Sequence, residues 1–552
     1  MCKIYWDKEV PPKWNGDWSN EFQTVPERTG YTRTADHMQM LEYLSKLAWN
    51  SEYMHIEQLF ISDLRRVAPL IILSNPRITT PEQAKESGKT VVYIQGNIHP
   101  SEAEGKETVL LLMRDIALGK CSHLLDRLII LLAPDFNPDG NEAWEVKNTS
   151  TFSGTPHIQS IRHNAIDTDV NRDAIKMETL NMQGLYKNVL NRWDPTISLD
   201  LHSMGRVQHG YSILYAPSYT PTAKSEPREY TQYRMLPSIK ELAEKKYGCM
   251  FFKHADYDWN KWPPEVWDPV AGGYSVEAKF VVNAIGLRNR MSILTETPGH
   301  VGFEKRIYAS YAFANCMLEY VYDYGAEMQR ICREADEDTV KQVQENASSG
   351  ELRNWVEGTY TEQDQPCDLY AYPTRKEEYI PGTSIINHWI GEGEPHLVKG
   401  VKDLTKPIGT KSSVVPRGYI FYPELRKVAE KLEAHGLTLE RMEHPVEMEG
   451  YEFIVDEYSE VQKGWIKLYD MTRLLGGWHQ ASKTYPTGSY HVDMAQPLAN
   501  VAFYCLEPEV GDGLTGWNYF NDYLKSRGAQ RNSVVFPVFK YLKIVENQVA
   551  RS

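Results

Sequence analysis

The fold is decided by the stretch TVVYIQGNIHPSEAEGKETVLLLMRDIAL, residues 90–118. Its first six residues form a short apolar run, which is typical of a buried strand. After a polar loop, TVLLLMRDIAL (108–118) repeats apolar residues at the spacing of an amphipathic helix. His99 and Glu102 lie between the two, where the strand would end. The stretch therefore predicts a strand–loop–helix unit with two chemically active side chains in its loop.

Further apolar runs follow the first, and each ends in polar residues. They are RLIILLAP (127–134), TISLDLHS (196–203) and SILTETPG (292–299), and a helical pattern follows in 307–324. This alternation predicts an α/β fold with a mixed, mostly parallel, twisted sheet flanked by helices. In such folds functional groups gather beyond the carboxyl ends of the strands, so we expect His99, His202 and Glu296 to lie close together.

The sequence changes in character after about residue 340. The charged, weakly apolar stretch 333–354 predicts a helix followed by a linker. Residues 417–443 have a strand–helix–strand pattern, and shorter strand-like runs with Gly and Pro turns follow. We therefore expect one domain over residues 1–345, with its core at about 50–325, and a C-terminal α+β accessory domain over 346–552.

Composition excludes several classes of protein. The 552 residues are 41% hydrophobic and include 60 Lys and Arg against 74 Asp and Glu, a formal net charge of −14. No basic stripe is present, so nucleic acid is not an expected partner. No apolar run approaches the ~20 residues that span a membrane. The seven cysteines, at positions 2, 121, 249, 316, 332, 367 and 505, lack CxxC spacing, which argues against a thiolate zinc site and a dense disulfide framework.

Three of the loop and strand-end residues have the chemistry of a catalytic zinc site. Such a site has three protein ligands, through nitrogen or carboxylate oxygen, and a fourth position open for water. His99 and Glu102, three residues apart, would converge on one ion, and His202 from a neighbouring strand end would be the third ligand. An H-x-x-E match alone arises often by chance, so the prediction depends on the residues around it.

Five motifs occur in order between about residues 50 and 325. They are H-x-x-E (99–102), NPDG (137–140), D-x-N-R (169–172), LHS (201–203) and the Glu296 of TETPG (295–299). The series resembles the zinc carboxypeptidase (M14) family, and it looks like a large bacterial-type member with a C-terminal accessory domain. The resemblance implies a zinc carboxypeptidase-like catalytic domain over 1–345. It also implies one Zn²⁺ per chain, with His99, Glu102 and His202 as its ligands.

The resemblance implies a hydrolytic mechanism as well. Asp169 matches the carboxylate that orients the first zinc histidine and so fixes its tautomer. Glu296 matches the general base that takes a proton from a zinc-bound water and passes it to the leaving amine. Arg162 matches the arginine that polarises the scissile carbonyl. The implied activity is hydrolysis of the C-terminal peptide bond.

Substrate contacts follow from the same resemblance. Asn171 and Arg172 match the pair that binds the substrate's terminal carboxylate, a group that the planar guanidinium meets in bidentate fashion. Ser203 is expected to contact the substrate through its backbone or hydroxyl group. Tyr274, in the Gly-rich AGGYS, matches a mobile tyrosine that covers the substrate. The expected partner is a peptide or another molecule with a C-terminal carboxylate.

The sequence departs from the digestive members of the family at several positions. Ser101 stands where an arginine is common, so one subsite contact is missing or replaced. In GLRNR (286–290), Arg288 and Arg290 are either further carboxylate ligands or members of structural ion pairs, and we favour the ion pairs. Val281 aligns with the base of the side-chain pocket, which would suit an apolar C-terminal residue.

Other functions remain open at this point. The same zinc set would serve an amidohydrolase acting on a non-peptide or cell-wall amide, and a metal-degenerate binding protein is a third hypothesis. His479, His491 and Asp493 are expected to be packed surface residues rather than a second metal site. The first residues, MCKIYWDKEVPPKW, lack the apolar core of a signal peptide. The sequence does not fix the compartment: the family resemblance implies a periplasmic or secreted protein if the N-terminus is processed, and otherwise we expect a cytoplasmic one.

Overall fold

The structure is a computed structural model, and it describes residues 9–145, 159–205, 207–379, 386–462 and 470–545. The helices of this part of the chain are α1 Val25–Arg28, α2 His37–Trp49, α3 Pro81–Ser87, α4 Glu104–Ala117, α5 Pro138–Glu142, α6 Leu180–Leu185, α7 Ser225–Tyr230, α8 Leu236–Tyr247, α9 Val281–Leu287, α10 Phe303–Asn346, α11 Arg426–Ala434, α12 Ala499–Leu506 and α13 Asn521–Ser526.

The strands alternate with these helices in the first half of the chain and dominate the second half. They are β1 Met54–Ile61, β2 Val67–Leu73, β3 Thr90–Gly96, β4 Leu128–Ala133, β5 Trp144–Glu145, β6 Gln159–Ser160, β7 Ile197–Met204, β8 Ile213–Pro217, β9 Phe251–Lys253, β10 Val266–Trp267, β11 Met291–Pro298, β12 Arg353–Thr361, β13 Cys367–Ala371, β14 Thr374–Tyr379, β15 Ile386–Gly391, β16 His396–Asp403, β17 Lys406–Val414, β18 Gly418–Phe421, β19 Glu440–Arg441, β20 Val446–Gln462, β21 Asp470–Tyr485, β22 Tyr490–Asp493, β23 Val534–Val535 and β24 Val538–Val545.

Eight strands form the central sheet, in the order β1-β2-β4-β3-β7-β11-β8-β9. The middle strands β4, β3, β7 and β11 run parallel, and antiparallel pairs flank them on both sides. Every residue of β3 and β4 is buried, as expected for parallel strands that are covered on both faces. The predicted α/β class with a mixed, mostly parallel sheet is therefore confirmed.

Helices cover the two faces of this sheet. The whole of α4 is buried, and it packs into a hydrophobic cluster that also holds residues of β3, β4, β7 and α10. The 44-residue α10 is buried over most of its first half and emerges toward Asn346. The helix predicted within 307–324 thus lies in the first half of a longer helix, whose end falls inside the predicted boundary region.

The second half of the chain is a β-rich domain. Six of its strands follow the order β19-β22-β18-β24-β20-β21, all antiparallel, with β23 also paired to β20. Helices α11 and α12 pack on this sheet in a hydrophobic cluster that continues into the first half of the chain. The division at residue 345 stays a prediction. None of the helices described is long and apolar enough to cross a membrane.

Candidate functional site

His99, Glu102 and His202 lie together at the carboxyl ends of β3 and β7. Their ligand atoms all fall within 4.8 Å of one another, and all three side chains are buried. Nδ1 of His99 is 3.0 Å from one carboxylate oxygen of Glu102, and Nδ1 of His202 is 2.9 Å from the other. In the described part of the chain, this is the one group of three such residues close enough to hold a metal ion.

The turn that carries His99 and Glu102 depends on two glycines. A Cβ on Gly96, at the end of β3, would lie 2.4 Å from the carbonyl carbon of Gly105 in α4. Strand and helix backbones therefore touch directly at this point. Between them Asn97 adopts a positive φ of 65°, and the amide of Glu102 donates to the carbonyl of His99 at 2.8 Å. This tight turn directs both side chains toward the same point.

The register of the parallel strands brings the other functional groups to this turn. Gly96 of β3 pairs with Leu201 of β7, so His202 follows one residue beyond the pairing. On the other side of β7, Glu296 of β11 lies directly opposite His202. The register of the sheet alone therefore places three of the predicted residues, His99, His202 and Glu296, next to one another.

Each histidine has a second carboxylate on its far nitrogen. Nε2 of His99 is 2.9 Å from Asp169, and Nε2 of His202 is 2.9 Å from Asp200. Burial opposes a charge on His202, but the carboxylates of Asp200 and Glu102 outweigh it and hold its pKa well above the ordinary value. Such carboxylate–histidine pairs leave Nδ1 directed at a metal and raise its basicity.

Glu102 is anchored from several sides. One of its oxygens accepts from the backbone amide of Ser203 at 3.0 Å, and the other accepts from Arg162 at 3.0 Å. Burial would raise its pKa, but the neighbouring His99 and His202 hold the pKa of Glu102 well below its ordinary value. Arg162 also binds Asp169 at 3.0 Å and is partly exposed at the mouth of the cleft.

Glu296 faces the same point without such support. Among the residues described, its Oε2 has no hydrogen-bond partner although it is buried. Loss of water around the carboxylate raises the pKa of Glu296 to about 8, with His202 opposing the rise and the charge of Glu102 adding to it. A carboxylate with a free oxygen and a pKa near neutrality is suited to proton transfer.

A cleft of about 300 Å³ extends from these groups. Asn171 and Arg172 line it from a short 3₁₀ turn, Val170–Arg172, which Asp169 begins by accepting from the amide of Asn171. The guanidinium of Arg172 lies 4.3 Å from the centre of the Phe280 ring. Tyr274 also lines the cleft, with its ring 5.3 Å from Phe280. The cleft therefore holds one buried arginine about which aromatic rings are packed.

Several sequence expectations are changed by the structure. The hydroxyl of Ser203 lines the cleft but is engaged with Glu104. Arg290 forms the favoured ion pairs, with Asp194 and Asp336, whereas Arg288 forms none among the described residues and donates instead to the carbonyl of His435. Val281 is not among the residues that line the cleft, and its backbone amide donates to the side-chain oxygen of Asn171 at 3.0 Å. The side-chain-pocket interpretation of Val281 stays a prediction.

The NPDG motif and the C-terminal histidines have structural partners. Asn137 caps α5 through the amide of Gly140, and Asp139 binds Arg66 at 2.8 Å. The side chain of Asn137 also donates to the carbonyl of Ile98 at 3.4 Å, so the motif contacts the loop that carries His99. His491 is 2.6 Å from the hydroxyl of Tyr541, and Asp493 pairs with Arg417. Neither these two nor His479 belongs to a group of metal ligands in the described residues.

Sequence reasoning missed four residues around the site. Asp200 could have been found, because it lies two residues before His202 and so shares its face of a strand. Glu104 and Arg306 form a fully buried ion pair at 2.6 Å behind the cleft. His254 lines the cleft beside Tyr274, and burial lowers its pKa to about 4, so it is neutral at pH 7. No local sequence pattern indicates that Glu104, Arg306 or His254 lies at the site.

The donor set fits a zinc ion. Two imidazole nitrogens and one carboxylate are a three-ligand set of catalytic zinc sites, and both outer nitrogens have the carboxylate partners that such ligands need. Glu296, whose Oε2 is without a hydrogen-bond partner among the described residues, lines the same cleft as the three ligands. Water or substrate at a fourth coordination position would therefore meet that carboxylate.

Known proteins resemble this chain as follows. Residues 71–304 match the family model described as zinc carboxypeptidase. Carboxypeptidase 2 of Trichophyton tonsurans is 24% identical over 494 residues, which are 85% of this chain and 80% of that protein. Carboxypeptidase D of Homo sapiens is 27% identical over 163 residues, which are 29% of this chain and 10% of that protein. Among solved structures, a metallo-carboxypeptidase from Burkholderia cenocepacia covers 52% of this chain and 69% of its own, at 17% identity and a TM-score of 0.38.

Proposed function

Because the chain belongs to the zinc carboxypeptidase (M14) family, we propose that it hydrolyses the C-terminal peptide bond of peptides with one zinc ion per chain. The observation that carries this proposal is a single cleft in which a His₂Glu ligand set, a carboxylate with a free oxygen and a buried arginine converge. The ligand set and the carboxylate with a free oxygen suit amide hydrolysis, and the buried arginine suits a substrate with a terminal carboxylate.

His99, Glu102 and His202 would hold the metal. When bound there, zinc lowers the pKa of a coordinated water and acts as a Lewis acid on the scissile carbonyl. The protein's own contribution is orientation: Asp169 and Asp200 hold the two imidazoles so that Nδ1 of each faces Glu102. Replacement of such partners typically weakens metal affinity about 10–100-fold.

Glu296 is the proton carrier in this proposal. Its free Oε2 accepts a proton from the attacking water and then gives it to the nitrogen of the departing amine. The carboxylate has no hydrogen bond on that oxygen to break before it accepts the proton. Its position directly across from His202 in the sheet supports this role.

Arg162 would stabilise the oxyanion that develops on the carbonyl. Its bonds to Asp169 and Glu102 use two of its five N–H donors and fix the guanidinium at the mouth of the cleft. The further donors and the positive charge are oriented before the reaction, which is the condition for effective electrostatic stabilisation. Partial exposure leaves room for the substrate to approach.

Asn171 and Arg172 would bind the terminal carboxylate and so limit cleavage to the last bond. Arg172 is buried against Phe280 and donates to the carbonyl of Asn171 at 2.8 Å, which restricts its rotamers. A guanidinium held in this way forms bidentate bonds to a carboxylate at little entropic cost. Tyr274, which packs beside Phe280, would close over the residue that is released.

A matched pair of peptides tests the proposal. One peptide has a free C-terminal carboxylate and the other has the same sequence with a C-terminal amide, and mass spectrometry identifies the products. We expect release of single residues from the free C-terminus and at least ~100-fold slower release from the amide, because Arg172 then lacks its partner. Internal cleavage, or equal rates on the two peptides, would contradict the assignment. Release of an amino acid from N-acyl amino acids but not from peptides would favour the amidohydrolase.

A further inference from the structure

The loop of residues 274–281 connects the cleft with the C-terminal domain. On the cleft side, Phe280 packs under Arg172, and the amide of Val281 donates to the side-chain oxygen of Asn171 at 3.0 Å. Tyr274 is the first residue of the loop, and its ring packs against that of Phe280. The loop therefore touches both members of the pair that the proposed function assigns to the substrate carboxylate.

The other side of this loop is held by two residues far along the chain. The amide of Ala278 donates to the hydroxyl of Tyr504 at 2.9 Å, and the amide of Lys279 donates to Asp512 at 2.7 Å. The hydroxyl of Tyr504 in turn donates to the second oxygen of Asp512. Two successive backbone amides of the loop are thus bound by one tyrosine–carboxylate pair from the C-terminal domain.

These contacts are shielded from water. Asp512 is 1% exposed, Tyr504 is 4% exposed and Ala278 is fully buried. Hydrogen bonds in such surroundings are strong, and loss of one partner leaves a buried amide unsatisfied. Within the first half of the chain, Asn283 holds the earlier part of the loop through the carbonyls of Ser275 and Glu277, at 2.9 Å each. The amides of Ala278 and Lys279 receive their acceptors from Tyr504 and Asp512.

We propose that the C-terminal domain completes the substrate cleft: Tyr504 and Asp512 hold the loop 274–281, and the loop holds Asn171 and Arg172 in position for the substrate carboxylate. The inference rests on the proposed function of that pair. Tyr504 and Asp512 are positioning residues, because they act through the loop and do not line the cleft. The metal ligands and Glu296 lie on or beside β3, β7 and β11, so release of the loop would weaken substrate binding more than the chemical step.

The test uses the full chain with Tyr504→Phe and Asp512→Asn. Tyr504→Phe removes both bonds of the hydroxyl but keeps the ring, and Asp512→Asn keeps the shape of the side chain while one acceptor oxygen is replaced. Tyr541→Phe is the matched control, because its hydroxyl is also buried in the C-terminal domain but bonds to His491, away from the loop. Arg172→Lys tests the carboxylate assignment itself.

Three measurements separate the outcomes: backbone hydrogen exchange of the segment 274–281, KM and kcat on a peptide substrate, and zinc content. We expect Tyr504→Phe and Asp512→Asn to lose exchange protection in this segment and to raise KM about tenfold, or about 1.4 kcal/mol, with a smaller effect on kcat and one zinc retained. Tyr541→Phe should match the parent in all three.

Unchanged exchange protection of the segment would overturn the inference, whatever the kinetics. The inference also fails if Tyr504→Phe and Asp512→Asn lose exchange protection in the segment but keep KM within twofold of the parent, while Arg172→Lys raises KM. If Arg172→Lys also leaves KM unchanged, the carboxylate assignment is what fails, and the inference fails with it.

Discussion

Removal of the positive charge of Arg306 should destabilise the protein severely. Arg306 in α10 and Glu104 in α4 form an ion pair at 2.6 Å, with side chains 1% and 0% exposed. Arg306→Met leaves the carboxylate buried without its partner, which typically costs about 3–5 kcal/mol. Thr297 donates to the same carboxylate at 2.6 Å, and Ser203 donates as well, so these two bonds remain. These two bonds hold the carboxylate of Glu104 in its buried position, so it does not become hydrated.

The double variant Glu104→Gln/Arg306→Met removes the isolated charge and should recover much of the loss. Urea unfolding of the parent, the two single variants and the double variant gives the coupling free energy, which we expect to be at least about 2 kcal/mol. Arg330→Met is the control, because Arg330 forms an exposed pair with Glu334 at 2.7 Å, and pairs that are exposed to solvent contribute little to stability. Equal losses for Arg306→Met and Arg330→Met would refute the reasoning.

The ion pair of Glu104 and Arg306 is also connected to a metal ligand, through Ser203. Ser203, which donates to Glu104 through its hydroxyl, donates to Glu102 through its backbone amide at 3.0 Å. A shift of this residue in Arg306→Met would move the carboxylate ligand. We therefore expect zinc affinity to fall about 10-fold or more in the folded variant, the range found when metal-orienting partners are lost. Competition with a chelator of known affinity measures the change.

Three further predictions follow from single residues. Gly96→Ala would place a Cβ 2.4 Å from the backbone of Gly105, so α4 must move, and we expect lower thermal stability and reduced zinc content compared with Gly477→Ala, a control glycine whose Cβ would meet only His479 at an ordinary 3.7 Å. Asp169→Asn should weaken zinc binding about 10–100-fold with little loss of stability, read by chelator competition and thermal unfolding, because His99 loses its carboxylate partner. Burial lowers the pKa of His435 to about 3 from 6.5, so its contribution to stability is full above pH 6.5 and is lost progressively as the pH falls from 6.5 toward 3, with about 2 kcal/mol lost at pH 5. His435→Gln, which keeps an N–H donor for the carbonyl of Ile175, should lose correspondingly less stability than the parent between pH 7.5 and pH 5 in urea unfolding, and equal losses would contradict this.

The sequence was sufficient for the parts of the fold that are set by local pattern. The apolar run and glycine of TVVYIQG correspond residue for residue to β3, and the helical repeat after it lies within α4. The candidate metal site could be recognised because three functional groups lie at or just beyond the carboxyl ends of strands in a parallel sheet. Such groups are close in space whenever the strands are adjacent.

Long-range pairings could not be predicted in this way. By local rules Glu104 is an acid at a helix N-terminus, where negative charge is favourable. In the structure it is paired with Arg306, 202 residues later in the chain. Likewise the local sequence does not name the partners of Arg288 and Arg290. In the structure Arg290 pairs with Asp194 and Asp336, and Arg288 donates to the carbonyl of His435. Tertiary packing, which has no local signal, selects these partners.

The most direct measurement of the central claim is a zinc titration of the metal-free protein with hydrolysis and bound zinc followed together. We predict that activity rises in proportion to bound zinc and reaches its maximum at about one ion per chain, as a three-ligand catalytic site requires. Glu296→Gln should bind the same amount of zinc and remain about 10²–10⁴-fold slower, since it cannot accept the proton. Activity without bound zinc, or parent-like activity of the Glu296→Gln variant at full zinc content, would contradict the account.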